Sequence, residues 1–184
     1  MYLNIITPCT RHSNLNAIYE SINIPNHQFR WIVVFDAFDS TEIDMSSLPD
    51  DRNIIYLKHF NGMSASGNSQ RNEGLKYVQH GHIYFNDDDT TMHPDLWDNI
   101  KDLNNDFIVF DQKYKNGDDR LLGGSVGVGL IDSHNFIVHS DLVTGIYWQI
   151  NEYSADGIFA TACRQKSTSF VHIPKILSIY NSLQ

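Results

Sequence analysis

Asp87, Asp88 and Asp89 stand side by side after the apolar run Ile83-Tyr84-Phe85. Three adjacent carboxylates repel one another, so grouping them is favourable where a divalent cation supplies the compensating charge. A hard cation held by oxygens, with open positions left over, suits a diphosphate, because it bridges protein and phosphate oxygens. The plainer reading of the triplet is a solvated acidic loop. An apolar run of that length reads as a buried strand, and in an open α/β sheet ligands sit beyond the carboxyl ends of strands.

Other polar groups fall at comparable places. Thr7, Pro8 and Arg11 follow the apolar start of the chain, and Asp36 follows Trp31-Ile32-Val33-Val34-Phe35. A carboxylate at Asp36 could accept from a base N–H or a ribose hydroxyl, although a turn or cap is the commoner use of an Asp after a strand. Arg71 lies in Gly67-Asn68-Ser69-Gln70-Arg71-Asn72-Glu73-Gly74, which opens a helical stretch. Helix starts and arginines both favour anionic oxygens. The competing role for Arg71 is pairing with Glu73 or Asp87.

The elements that must hold these groups follow from pattern. Leu3 to Thr7 reads as a strand stopped by Pro8. Leu15, Ile18, Tyr19 and Ile22 recur at helical spacing, with Ser13 as cap and Pro25 as stop. Trp31–Phe35 is apolar throughout, as a strand covered on both faces should be, and Ile54–Leu57 is a shorter run of the same kind. Ser69 to His80 fits a helix resting on Leu75 and Val78. Pro94 starts another, with Leu96, Trp97, Ile100 and Leu103 on one face. Strand and helix alternating in this way imply right-handed crossovers and a largely parallel sheet.

After residue 105 the pattern turns mixed. Phe107–Phe110 reads as a strand, Asn116-Gly117 as a hairpin turn, and Gly123 to Gly129 as a glycine-rich stretch. A helix over Ala155–Ala162 and strands at Phe170–Ile173 and Ile176–Tyr180 complete the chain. The expected fold class is α/β, a mixed but mostly parallel sheet flanked by helices. It forms one domain over 1–184, whose first part (1–105) is nucleotide-fold-like and whose second part (106–184) is mixed.

Composition narrows the partners. The chain has 184 residues, 13 basic against 22 acidic, and a formal net charge of -9. Such a surface repels nucleic acid and anionic membrane. No run approaches the ~18 apolar residues of a transmembrane segment. Two cysteines, Cys9 and Cys163, cannot build a disulfide framework and fit a reducing compartment. These features lead to the expectation of a soluble cytoplasmic protein, or one domain of a larger one.

The order of these motifs resembles the nucleotide-sugar glycosyltransferases of the GT-A fold. The likeness rests on Thr7-Pro8 with Arg11, Trp31 to Asp36, Gln70 to Leu75, and Tyr84-Phe85-Asn86-Asp87-Asp88-Asp89. It is closest to the large inverting family of bacterial polysaccharide synthases and to the animal glucuronyltransferases, and it covers roughly residues 3–100. The resemblance implies transfer of a sugar from a nucleoside-diphosphate sugar, a UDP-sugar being favoured, to a hydroxyl of a glycan or other acceptor. It further implies that Thr7, Pro8 and Asp36 line the uridine pocket and that Arg71 lies near the base or diphosphate. Asp87 or Asp88 would bind ribose, and Asp89, as the last acid of the D-x-D motif, would hold Mn²⁺ or Mg²⁺. Inverting members need a carboxylate that takes the acceptor proton, and Asp156 occupies the matching place, with Glu152 as the second candidate. Helix capping is the competing role for Asp156. His172 is the nearest match to a late histidine that serves these enzymes as a metal or phosphate ligand. Trp148 could stack on a sugar face, and His93 could reach the metal or cap the helix before Pro94.

Two other readings compete. Asp87-Asp88-Asp89-Thr90-Thr91 also satisfies the D-x-D-x-T pattern of haloacid-dehalogenase-type phosphohydrolases, where the first Asp attacks phosphate. That motif normally lies on the first strand, whereas about 80 residues precede it here. The third reading is a nucleotide-sugar-binding module without catalysis, because Ala155 stands where an acid usually precedes the base.

Overall fold

A computed structural model of the chain describes residues 1–36, 44–60 and 66–184. Strands β1 (Leu3–Cys9), β2 (Phe29–Asp36), β3 (Ile54–His59) and β4 (His82–Phe85) pair in parallel in the order β3-β2-β1-β4. Strand β7 (Phe136–His139) then lies antiparallel to β4, followed by β5 (Phe107–Tyr114) and β6 (Asp119–Leu121). Strand β8 (Phe170–Tyr180) runs parallel beside β5 and closes an eight-stranded sheet. The mixed, mostly parallel sheet with helices on both faces is the α/β architecture that the sequence pattern implies.

Period-two alternation divides the core into two layers. Leu3, Ile5, Trp31, Val33 and Tyr84 face one side, where α1 (Leu15–Ser21) and α3 (Leu96–Ile100) bury Leu15, Ile18, Leu96 and Ile100. Ile6, Ile32, Val34, Ile83 and Phe85 face the other, under α2 (Asn68–Leu75) and α4 (Ala155–Lys166). Each large apolar side chain removed from water contributes about 1.5–3 kcal/mol. Both faces of β1, β2 and β4 are covered, hence their nearly unbroken apolar runs. Gly74 lets α2 approach β1: a Cβ there would lie 2.6 Å from Ile6 Cγ2.

Several boundaries differ from the pattern. The first helix follows a 3-10 turn at His12–Asn14, so Asn14, not Ser13, holds the cap position. Helix α2 stops at Leu75, well short of His80. Its end tightens through i−3 bonds from Lys76 N to Glu73 O and from Tyr77 N to Gly74 O. The strands expected at 170–173 and 176–180 are one strand, whose register slips at Pro174-Lys175 because proline cannot donate to the ladder. Strand β7 carries no signal that the sequence reading used, yet it sits at the centre of the sheet. Cys9 and Cys163 are buried on opposite faces of the sheet, and no disulfide joins them. Among the described residues, no helix is long and apolar enough to cross a membrane.

Candidate active site

The carboxyl end of β4 delivers the acid triplet into a cleft of about 840 Å³. Asn86 continues the β1 ladder through its N–H to Ile6 O at 3.0 Å, and its Nδ2 then binds Thr90 O at 2.8 Å. Thr90 N closes onto Asp87 O at 3.2 Å. This turn sends the three carboxylates in three directions.

Asp88 turns back to the end of β1. It accepts from Thr10 N at 2.6 Å, from Arg11 N at 2.7 Å, and from the Thr10 hydroxyl and the Arg11 guanidinium. With its acceptor positions taken up this way, Asp88 fixes the β1 loop and has little left for a ribose. Asp87 reaches Arg71 Nη2 with one oxygen. Its other oxygen accepts from Ser133 Oγ at 3.1 Å. Burial by itself would raise the Asp87 carboxyl, but the charges of Arg71 and His134 outweigh it and hold it below the ordinary range. Asp89 is different. Burial raises its carboxyl and the charge of Asp87 raises it further, despite the Arg11 guanidinium at 3.2 Å. Gln184 Nε2 at 2.9 Å and Thr90 Oγ1 at 3.1 Å also donate to it.

His134 is fully buried behind this cluster. Burial opposes a charge on it and three carboxylates favour one. His134 Nε2 lies 2.7 Å from Asp87 N and 3.3 Å from Asp87 Oδ2.

Arg71 ties the two halves of the cleft together. It is buried under the face of Trp148, 4.6 Å from the ring centroid. Its Nη1 donates to Ser66 O at 2.6 Å and to Asn68 Oδ1 at 3.1 Å. Asn68 Nδ2 in turn donates to Gln149 O and Glu152 O, and Asn72 exchanges two 2.8 Å hydrogen bonds with the Trp148 backbone. Helix α2 thus orients the acids with one residue and the segment leading to α4 with its neighbours. Gly67 starts this helix at φ +76°, where a Cβ would come within 2.7 Å of Pro8 Cβ.

Asp156 lies in the first turn of α4 and lines the same cleft as Asp87, Asp88 and Asp89. Burial raises its carboxyl, the N–H of Gly157 at 2.7 Å partly offsets this, and the charge of Asp132 raises it again. Helix α4 comes close to the glycine-rich stretch because Gly157 has no side chain: a Cβ would lie 2.5 Å from Val128 Cα.

Several expected roles fall elsewhere in the structure. Thr7 faces the core layer away from the cleft, where its Oγ1 accepts from Trp31 Nε1 at 2.8 Å; a one-residue alternation separates it from Pro8, which does line the cleft. Asp36 is the last residue of β2, opposite His59 and outside the cleft lining. His172 bonds Asp111 Oδ1 at 2.8 Å under Gly124 and takes no part in the acid cluster. Glu152 is exposed and accepts from Ser154 Oγ at 2.7 Å. Trp148 is stacked on Phe159, with ring centroids 4.8 Å apart, so it belongs to the core. His93 Nδ1 accepts from Asp95 N at 3.2 Å in the turn before α3, whose cap position Asp95 holds.

The sequence reading missed Arg120, Asp132, Ser133 and Tyr180, all of which line the cleft. Arg120 lies over the Tyr180 ring at 3.9 Å and binds Asp132 at 3.0 Å. The Asp132–Asn135 capping box was a usable local signal. The position of this segment beside the acids depends on β7, whose apolar run Phe136-Ile137-Val138 the sequence reading passed over.

Three carboxylates face two guanidinium groups, and burial more than charge raises the carboxyl of Asp89. Arg11, nearly half exposed, pairs with both Asp88 and Asp89.

The fold is a GT-A-like glycosyltransferase fold. Residues 1–349 of TarS from S. aureus superpose with a TM-score of 0.73 at 16% identity, covering 97% of this chain and 60% of that one. TarS in complex with UDP-GlcNAc gives 0.72 at 16% identity, covering 97% and 58%. The mannosyltransferase PcManGT from Pyrobaculum calidifontis, bound to GDP-Man and Mn²⁺, gives 0.70 at 11% identity, covering 97% and 56%. The chain therefore spans about 60% of the length of these structures. No family model and no curated protein matches the sequence.

Proposed function

We propose that this chain is a metal-dependent glycosyltransferase that moves a sugar from a nucleoside-diphosphate sugar, most naturally a UDP-sugar, to an acceptor hydroxyl with inversion. One observation carries the reading. Asp156, with its raised carboxyl, and the Asp87–Asp89 cluster share a single cleft, in a fold shared with structures holding UDP-GlcNAc or GDP-Man with Mn²⁺.

Asp89, with Asp87 behind it, would hold Mn²⁺ or Mg²⁺. That ion would supply Lewis-acid stabilisation of the departing diphosphate. Arg11 would add charge on the phosphate side, while Arg71 keeps Asp87 ionised and aimed. Residues 1–105 form the donor side in this reading, and residues 106–184 the acceptor side.

Asp156 acts as general base. It takes the proton from the acceptor hydroxyl while that oxygen attacks the anomeric carbon, and the diphosphate leaves with the bonding electrons of the broken glycosidic bond. A raised carboxyl brings the base closer to the operating pH, which improves proton transfer. Arg120 and Tyr153 also line the cleft, and in this reading they face the acceptor.

Thermal-shift screening of nucleotide sugars with and without Mn²⁺ tests the proposal. UDP-sugars should raise the melting temperature only when Mn²⁺ is present. Equal shifts without metal, or phosphate release from a phosphomonoester dependent on Asp87, would overturn it.

A further inference from the structure

The described residues with the spacing of metal ligands are not the acid triplet. They are His80, His139 and Asp141, at the opposite end of β4. One ligand atom from each lies within 4.8 Å of the others. His139 pairs with His82, the first residue of β4, whereas the acids follow Phe85, its last. The length of the strand, about 10 Å at ~3.3 Å per residue, therefore separates this cluster from the cleft.

The backbone under the cluster is fixed before any ion arrives. Ser140 N donates to Gly81 O at 2.8 Å, joining the segments that carry His80 and Asp141. The His139 N–H donates to Asp106 O at 2.7 Å. The His139 ring meets His80 edge to face at 4.9 Å between centroids, and His82 at 5.1 Å. His82 Nε2 is anchored on Asn105 O at 2.9 Å, which fixes its ring against that of His139.

We propose that His80, His139 and Asp141 form a second metal site, selective for a borderline transition ion such as Zn²⁺, that braces the entry of β4 against the exit of β7. Two imidazoles and one carboxylate match the preferences of Zn²⁺ and disfavour Mg²⁺ and Ca²⁺, which need more oxygen ligands. Three protein ligands leave one tetrahedral position for water. The site lies outside the transfer cleft and serves stability.

Calorimetric titration of the whole chain with Zn²⁺ alone, without nucleotide, tests this. One equivalent should bind. His80→Ala and His139→Ala should each weaken binding by more than about 10–100-fold, the loss seen when outer-shell partners are removed. Asp89→Asn should bind as the wild type does. At one hundred times Kd, Zn²⁺ should raise Tm by roughly 5–10 °C, and His80→Ala should abolish that rise. Undiminished binding in His80→Ala, loss of binding in Asp89→Asn, or no saturable Zn²⁺ binding to the wild type would each overturn the site. His80 is exposed, so a folding failure of His139→Ala leaves the His80 arm decisive.

Discussion

The two carboxylate regions of the cleft are built on opposite principles. At the end of β4 every acid is engaged: Asp88 by the β1 loop, Asp87 by Arg71, Ser133 and His134, and Asp89 by Arg11, Thr90 and Gln184. At the start of α4, Asp156 accepts from the N–H of Gly157 in its own helix, and its carboxyl is raised by burial. The first region is pre-organised to grip charge, and the second is held ready to accept a proton. Buried ion pairs gain little stability for their desolvation cost, so the dense pairing around Asp87 makes better sense as positioning than as stabilisation.

Breaking the second region should have the largest effect. Asp156→Asn should lower kcat by about 10²–10⁴, the usual contribution of a general base, while donor affinity stays unchanged by calorimetry. The pH profile of the wild type sharpens this. Transfer requires ionised Asp156, so kcat/KM should fall as pH drops through a carboxyl value above the ordinary 3.8. Stability should run the other way. A raised folded-state value favours the protonated form, so Asp156 costs the fold stability as pH rises through it, and Asp156→Asn should remove that slope in urea melts.

Breaking the first region should next cost stability. Arg71→Met removes the guanidinium from Asp87, leaving it Ser133 and His134, and should destabilise the chain by about 1–3 kcal/mol in urea denaturation. The lowered carboxyl of Asp87 contributes stability above 3.8, and this should fade as pH falls below that value. Arg71→Lys should not restore transfer, because an ammonium cannot span Asp87, Ser66 and Asn68 together.

Thr7→Val is a smaller test. It strands the Trp31 indole N–H and should cost about 1–3 kcal/mol of stability without altering donor affinity. A loss of donor affinity would return Thr7 to the cleft. The smallest effect belongs to Glu152→Gln, whose stability should change by no more than about 0.5 kcal/mol and whose turnover should stay near that of the wild type.

These contrasts follow what the sequence could and could not convey. Apolar runs located β1, β2 and β4, and the placement of the triplet at a strand end was legible because strand and polar edge adjoin in the chain. The direction of each acid was not, since a tight turn closed by Asn86 and Thr90 sends consecutive side chains apart. Thr7 was misassigned for a related reason: period-two alternation puts neighbours on opposite faces, and Pro8 rather than Thr7 faces the cleft. Arg71 as a partner of Asp87 was one of the two pairings that the sequence left open. His134 and Ser133 were invisible because β7 brings them beside residues about 47 positions earlier, a long-range pairing without a local code.

Calorimetric titration with UDP and Mn²⁺ across three proteins tests the central claim most directly. Wild type and Asp156→Asn should bind UDP with equal affinity, dependent on Mn²⁺, while Asp89→Ala should not bind. Metal-independent binding, or binding by Asp89→Ala equal to that of the wild type, would contradict a transfer site built on the end of β4.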